Sequence, residues 1–246
     1  MAVLLSYSLE DNFDPTTVDA SIVGAIVTNN LLTSLTRGPV SGYPTDVASA
    51  GPTSGATSAA LAVTTGSYFY ISLTPITGKK MSLVDLTFNA ARGGAATPRG
   101  YQVRSSADDF ATSLGGADLS TQRPDFTAVT IDLSGAAFQN VTGTITFNIY
   151  IYGPSTTTVV DWDALTINGT VADAGTVDQE GFRWRTDDGS ETTATWLAAQ
   201  DTDIIRPTAT NTRIRFVLNS TLDRGAEGYQ LEYRVVGSGD EWEVIA

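Results

Sequence analysis

Residues 144–152 read Thr-Ile-Thr-Phe-Asn-Ile-Tyr-Ile-Tyr, a strict alternation that puts Ile145, Phe147, Ile149 and Ile151 on one side and polar or phenolic residues on the other. A period of two is the signature of a strand with one buried face, and no helix keeps those four side chains together. Ser67 to Leu73 repeats the pattern, with Phe69, Ile71 and Leu73 inward. Further strands are expected at Val3 to Glu10, Leu61 to Thr65, Met81 to Asn89, Tyr101 to Ser105, Phe126 to Leu133 and Val159 to Val171. Composition supports an all-β chain: 36 Thr and 23 Gly in 246 residues, with Lys and Glu scarce before the C-terminal third. Gly38 to Ala60, with three Pro and four Gly, reads as a long surface loop or arm.

The character changes near residue 172. The last 75 residues hold three of the four Trp, seven of the 14 Lys+Arg (all Arg) and 14 of the 27 Asp+Glu. The expected organisation is a domain over 1–171, a linker over 172–179 and a second β domain over 180–246. In that second domain Phe182 and Trp184 alternate with Arg183 and Arg185, and Ile214, Phe216 and Leu218 alternate with Arg213 and Arg215. Tyr229, Leu231, Tyr233 and Val235 alternate with Gln230, Glu232 and Arg234, and Gly237 to Asp240 makes a turn before Trp242 and Val244. The outward arginines are expected to pair across strands with Glu232, Glu241 and Glu243. Thr192 to Asp203 reads either as a short helix or as an irregular edge.

Chemistry is narrowed by what the chain lacks. With no His and no Cys there is no thiol nucleophile, disulfide, His metal site or Ser-His-Asp triad. A net charge of −13 has the wrong sign for tracking nucleic-acid phosphates or anionic membranes. No segment approaches the roughly 20 apolar residues of a spanning helix. The opening MAVLLSYSLEDNF has no basic residue before its short apolar run, so the expectation is synthesis in the cytoplasm without a signal peptide. Glycoside hydrolysis needs two carboxylates on a cleft, and nothing locates such a pair among the 27 acids. The chain is therefore expected to bind and not to catalyse, with no cofactor required.

Two resemblances add to this. Ser6 to Glu10, the YFYISLTP run after Ser67, Tyr101 to Ser106, Phe138 to Gly143 and Asp161 to Ile167 follow one another as in the jelly-roll modules of bacterial surface proteins and carbohydrate-binding families. EGFRWRTDDGSETTATWLAAQDTDIIRPTATNTRIRF, from Glu180, followed by YQLEYR, resembles a repeat domain of tailed-bacteriophage virion proteins. These resemblances imply a jelly-roll β-sandwich followed by a smaller immunoglobulin-like sandwich. The functional expectation is a phage virion protein, most readily a capsid decoration or head appendage that oligomerises on a major capsid protein and is localised in the virion. The alternative is a tail adhesin or receptor-binding protein that recognises surface glycans.

Two sets of candidate residues follow. Asp161 and Asp163 are in phase with Leu165 and Ile167, and a carboxylate turned into a core must be paired or bound to a cation. In the jelly-roll modules a Ca²⁺ is held by an acid near the end of the first strand and an Asp in the last, and Glu10 and Asp163 match those places. The other reading leaves both Asp in solvent or capping a turn. Tyr68, Tyr70, Tyr150 and Tyr152 lie opposite the apolar positions of their strands, as a wet aromatic face for a sugar or partner protein, or as rings covered by the Gly/Ser-rich loop.

Overall fold

The computed structural model describes residues 2–9, 12–188, 192–207 and 210–221 and the backbone of 232–233 and 243–244. The chain divides into two compact units, Met1–Ala174 and Gly175–Ala246. The described residues are all-β apart from one short helix and two single 3-10 turns.

The first unit begins with β1 (Ala2–Tyr7), β2 (Thr17–Val18), β3 (Ile22–Gly24), β4 (Thr28–Asn29), β5 (Ser34–Pro39) and β6 (Asp46–Gly51). After α1 (Ala59–Thr65) come β7 (Tyr68–Pro75), β8 (Lys79–Arg92), β9 (Gly100–Ser105), β10 (Gly115–Asp118), β11 (Thr127–Asp132), β12 (Ile145–Tyr152) and β13 (Val160–Asp173). One sheet has β13 at its centre. β8 pairs along one flank of β13 and carries β11; on the other flank β6, with β5 beyond it, pairs with residues 160–162, and β1, with β2 beyond it, pairs with 165–169. The second sheet runs β10-β9-β12-β7, with β3 and β4 both on the outer flank of β7. From β7 to β8 to β9, and from β11 to β12 to β13, the chain crosses between sheets, as in a jelly-roll sandwich, while β1-β2, β5-β6 and β9-β10 pair antiparallel within a sheet. Phe69 of one sheet stacks on Trp162 of the other, 4.4 Å between ring centroids, so the two inner faces meet in one core. Phe69, Ile71, Leu73, Phe147 and Ile149 all point into it, as their alternation requires.

Two expectations fail here for physical reasons. Gly38 to Ala60 is not a surface arm. Its middle forms β6, whose Val47, Ala48 and Ala50 are buried, because small side chains let β6 lie close against the centre of the sheet. Leu61 to Thr65 is not a strand but the C-terminal part of α1. Ser58 caps the helix by accepting from the Leu61 amide at 3.3 Å, and Gly66, at φ 67°, sends its N–H back to the Ala62 and Val63 carbonyls. These local caps and three Ala outweigh the β preference of Val63, Thr64 and Thr65.

A third correction decides where the acids point. Asp163 pairs with Asn89 and Thr166 with Thr87, so Ala164 and Leu165 together oppose the single residue Phe88. This is a β-bulge, with Ala164 in the left-handed region at φ 51°. The extra residue reverses the phase of everything before it. Val160 and Trp162, not Asp161 and Asp163, share the core with Leu165 and Ile167. The bulge sits where the neighbour of β13 changes from β6 to β1.

In the second unit, β14 (Val177–Thr186) and β15 (Thr212–Ser220) form one antiparallel pair, and β16 (Glu232–Tyr233) and β17 (Glu243–Val244) form another. The stretch 172–179 is mostly strand: 172–173 finish β13 and 177–179 open β14. Thr192 to Asp203 is an irregular edge along β14, through bonds from Thr186 N to Thr195 O and from Leu197 N to Trp184 O. Arg185 is consequently 3% exposed, not outward, and together with Arg183 it stacks on Trp196. Arg183 and Arg185 are register partners of Arg215 and Arg213, and Arg213 pairs with Asp187 at 2.6 Å. The side chains of Glu232, Glu241 and Glu243 and the 237–240 turn lie outside the described residues.

Candidate functional site

The outer face of the β10-β9-β12-β7 sheet carries all four candidate tyrosines. Directly paired residues share a face, and one row across the sheet is Tyr68, Tyr150, Gln102 and Gly116. The next is Tyr152, Gly100 and Asp118. On the other side lies Tyr70, Asn148 and Arg104.

This is not an open tyrosine face. Tyr150 and Tyr152 are each 5% exposed, packed with Ala56 and with Ala62 of α1 in a small second cluster. Tyr68 joins that cluster from its edge, its ring 4.9 Å from that of Tyr150, and Tyr70 is partly exposed beside it. An interface made of all four rings is therefore corrected to a covered patch with two partly exposed members.

Beside α1 the face opens into a groove of about 490 Å³. Thr57, Ser58 and Ala59 form one wall, Gly116, Ala117 and Asp118 of β10 the other, and Gln102 with the edge of Tyr152 the floor. The hydroxyl of Tyr152 reaches over β9 to donate to Asp118 Oδ1 at 2.7 Å. Gly100 makes this reach available. A Cβ there would lie 2.4 Å from the Tyr152 hydroxyl and 2.1 Å from the Ala117 carbonyl, closer than any side chain tolerates. Burial, with the Asp118 carboxylate in support, pushes the Tyr152 phenol well above the ordinary tyrosine range, so it stays a donor. Gln102 Oε1 accepts from Arg104 Nε at 3.1 Å, which leaves its NH₂ as the donor in the groove. The groove thus offers a carboxylate, an amide, several hydroxyls and the apolar surfaces of Ala59, Pro98 and Ala117. Sequence reasoning found Tyr152 but missed Asp118 and Gly100. A Gly two residues before a strand's alternating polar positions was the available signal, and it has meaning only once the cross-strand neighbour is known.

The other candidate pair sits on the opposite outer face. Asp163, 4% exposed, accepts from Tyr43 at 3.0 Å and from Thr45 at 2.9 Å, both on Oδ2. Asp161, fully buried, accepts from Ser49 at 2.5 Å, and its Oδ2 lies 3.1 Å from an Arg123 nitrogen. Burial raises the Asp161 pKa, against the opposing pull of Ser49, Arg123 and Arg99. These partners come from β6, from the turn before it and from the segment after β10. The acids therefore clamp flanking chain to the outside of the sheet, neither turned into the core nor left in solvent. Glu10 lies outside the described residues. Among the described residues no three acidic side chains gather as a metal cluster. No helix among them is long and apolar enough to cross a membrane.

No protein-family model matches the chain, and no curated protein does. Solved structures with some likeness include the K3 cleaved adhesin domain of Lys-gingipain from Porphyromonas gingivalis w83, 18% identical with a TM-score of 0.39, covering 68% of this chain and 99% of that domain. A family 11 carbohydrate-binding module from Clostridium thermocellum, solved with a β-1,3-1,4-mixed-linked tetrasaccharide, is 10% identical with a TM-score of 0.35, covering 69% and 98%. The Stig cyclase Fisc from Fischerella sp. TAU is 17% identical with a TM-score of 0.31, covering 67% and 84%. The chain is an all-β protein whose first 174 residues form a β-sandwich of the jelly-roll kind.

Proposed function

We propose that the first unit is a non-catalytic glycan-binding module and that the groove beside α1 is where the sugar sits. The observation that carries this is the Tyr152–Asp118 pair assembled across β9 over Gly100, at the wall of a groove of ligand size. A sugar presents hydroxyls on its rim and C–H groups on its faces. The groove meets the first with Asp118, Gln102, Thr57 and Ser113 and the second with Pro98 and Ala59. Its backbone walls are a capped helix and a paired strand, so the donors and acceptors are held in place before the ligand arrives. Binding alone is the role, since no acid and base flank a common position in the groove.

The test is titration calorimetry of the purified chain with cellotetraose and with a β-1,3-1,4-mixed-linked tetrasaccharide, preceded by a glycan array. The expected result is saturable binding that Gln102→Ala weakens about tenfold at unchanged melting temperature. Absence of binding to every glycan on the array by folded protein would overturn the proposal. Attachment to a phage particle rests on the resemblance of residues 180–216 and is tested separately, by labelling purified virions with antibody to this chain.

A further inference from the structure

Among the described residues the groove has one charged lining residue, Asp118, and no Lys or Arg; Thr57, Ser58, Gln102, Ser113 and Tyr152 supply the other polar groups. The phenol that donates to Asp118 is neutral, so it orients the carboxylate without cancelling its charge. Asp118 itself is exposed, on an edge strand whose neighbouring positions are Gly115, Gly116 and Ala117, so no bulky side chain of β10 shields it. The surrounding field has the same sign, since residues 1–174 carry 14 Asp+Glu and seven Lys+Arg. The cations nearest in sequence are engaged elsewhere: Arg123 pairs with Asp161 at 3.1 Å, Arg104 donates to Gln102 Oε1 and to the Phe110 and Ala111 carbonyls, and Arg99 donates to the Val159 carbonyl at 2.7 Å. A uronate, sialate or phosphorylated sugar would bring its charge against an acid with no counter-ion present. A sugar bearing a free amine would bring an ammonium to an oriented carboxylate, a charge-assisted hydrogen bond.

Resting on the glycan reading above, we infer that the groove selects amino sugars with an unacetylated amine, and that Asp118, held by Tyr152 over Gly100, is the residue that sets this preference. Tyr152 acts through Asp118 as a positioning residue. Neutral glycans meet the same groups, Asp118 included, but bring no opposite charge to it, and N-acetylated sugars lose the cation and add bulk.

The experiment compares four oligosaccharides of equal length by calorimetry at a pH where the amine is protonated: β-1,4-linked tetraglucosamine, its N-acetylated form, cellotetraose and tetragalacturonate. The expected order has tetraglucosamine at least tenfold tighter than cellotetraose, and tetragalacturonate weakest. Asp118→Asn should remove the tetraglucosamine advantage, so that on this variant tetraglucosamine and cellotetraose bind alike. Asp125→Asn removes the same charge from an exposed position outside the groove and should leave the advantage intact, which separates a local contact from general attraction to an acidic protein. Tyr152→Phe keeps the ring and deletes only the donor; it should reduce the ratio of tetraglucosamine to cellotetraose affinity. If tetraglucosamine and cellotetraose bind equally, or if Asp125→Asn matches Asp118→Asn, the inference falls and the glycan reading stands. If no oligosaccharide binds, both fall.

Discussion

Deleting Ala164 is the sharpest test of how the sandwich is organised. The bulge at Ala164 and Leu165 is what allows Trp162 to face the core and Asp161 and Asp163 to face outward. Without the extra residue, a continuous β13 puts Asp161 and Asp163 in phase with Leu165 and Ile167, as plain alternation would. Trp162, now 2% exposed and stacked on Phe69, would turn to the outside. An aromatic side chain of this kind buries about 200 Å², which at about 25 cal/mol/Å² is about 5 kcal/mol lost. The two carboxylates would leave Ser49, Tyr43, Thr45 and Arg123 for an apolar interior, at several kcal/mol each before any relief by protonation. The sum is as large as the whole stability of an ordinary domain, about 5–15 kcal/mol. Deletion of Ala164 should therefore give a chain without the cooperative unfolding transition of the parent. Ala164→Gly keeps the residue count and relieves the positive φ, so it should melt within a few degrees of the parent or above it. The assay is urea unfolding of residues 1–174 within the full chain, followed by tryptophan fluorescence and far-UV circular dichroism. A deletion variant that unfolds cooperatively at the parent's midpoint would refute the phase argument.

Three further outcomes follow from the same geometry. Gly100→Ala places a methyl against the Ala117 carbonyl and the Tyr152 hydroxyl and should cost about 1–3 kcal/mol by chemical denaturation together with any ligand affinity of the groove; a variant as stable as the parent would show that Tyr152 does not need this gap. Ala62→Leu enlarges the fully buried helix residue above Tyr150 and Tyr152 and should lower stability by about 1–3 kcal/mol while increasing the accessibility of those phenols to nitration; unchanged nitration would mean that α1 is not their cover. Asp161 has a folded-state pKa above its ordinary 3.8, so in that window the folded chain binds the proton more tightly and the contribution of this group to stability falls as pH rises through it. Asp161→Asn should remove that component, so the difference in unfolding free energy between parent and variant should change as pH rises above about 4, the ordinary Asp value; a constant difference would contradict a raised pKa.

Much of the fold was legible because a strand with one buried face leaves its period in the residues that line it. Phe69, Ile71 and Leu73, and Ile145 to Ile151, determine by themselves that these segments are strands and which way they face, since the pleat allows no other arrangement that buries all of them. The lack of His and Cys likewise decides, without coordinates, which chemistries are closed to the chain. Other features depend on neighbours distant in sequence. Ala164 has no local mark of a bulge; it becomes one because β13 exchanges β6 for β1 as a partner at that point, and a single inserted residue moves two aspartates from core to cover. Tyr150 and Tyr152 carry no sign that α1 lies over them, because the covering residues are Ala56 and Ala62, some ninety positions away. The groove is the extreme case. Gly100, Asp118 and Tyr152 lie on three strands, and only antiparallel pairing in one register sets a missing side chain under a phenol and a carboxylate at its tip. Alternation acts over a few residues and can be read along the chain, whereas register and coverage arise from long-range packing, which the tertiary structure alone decides.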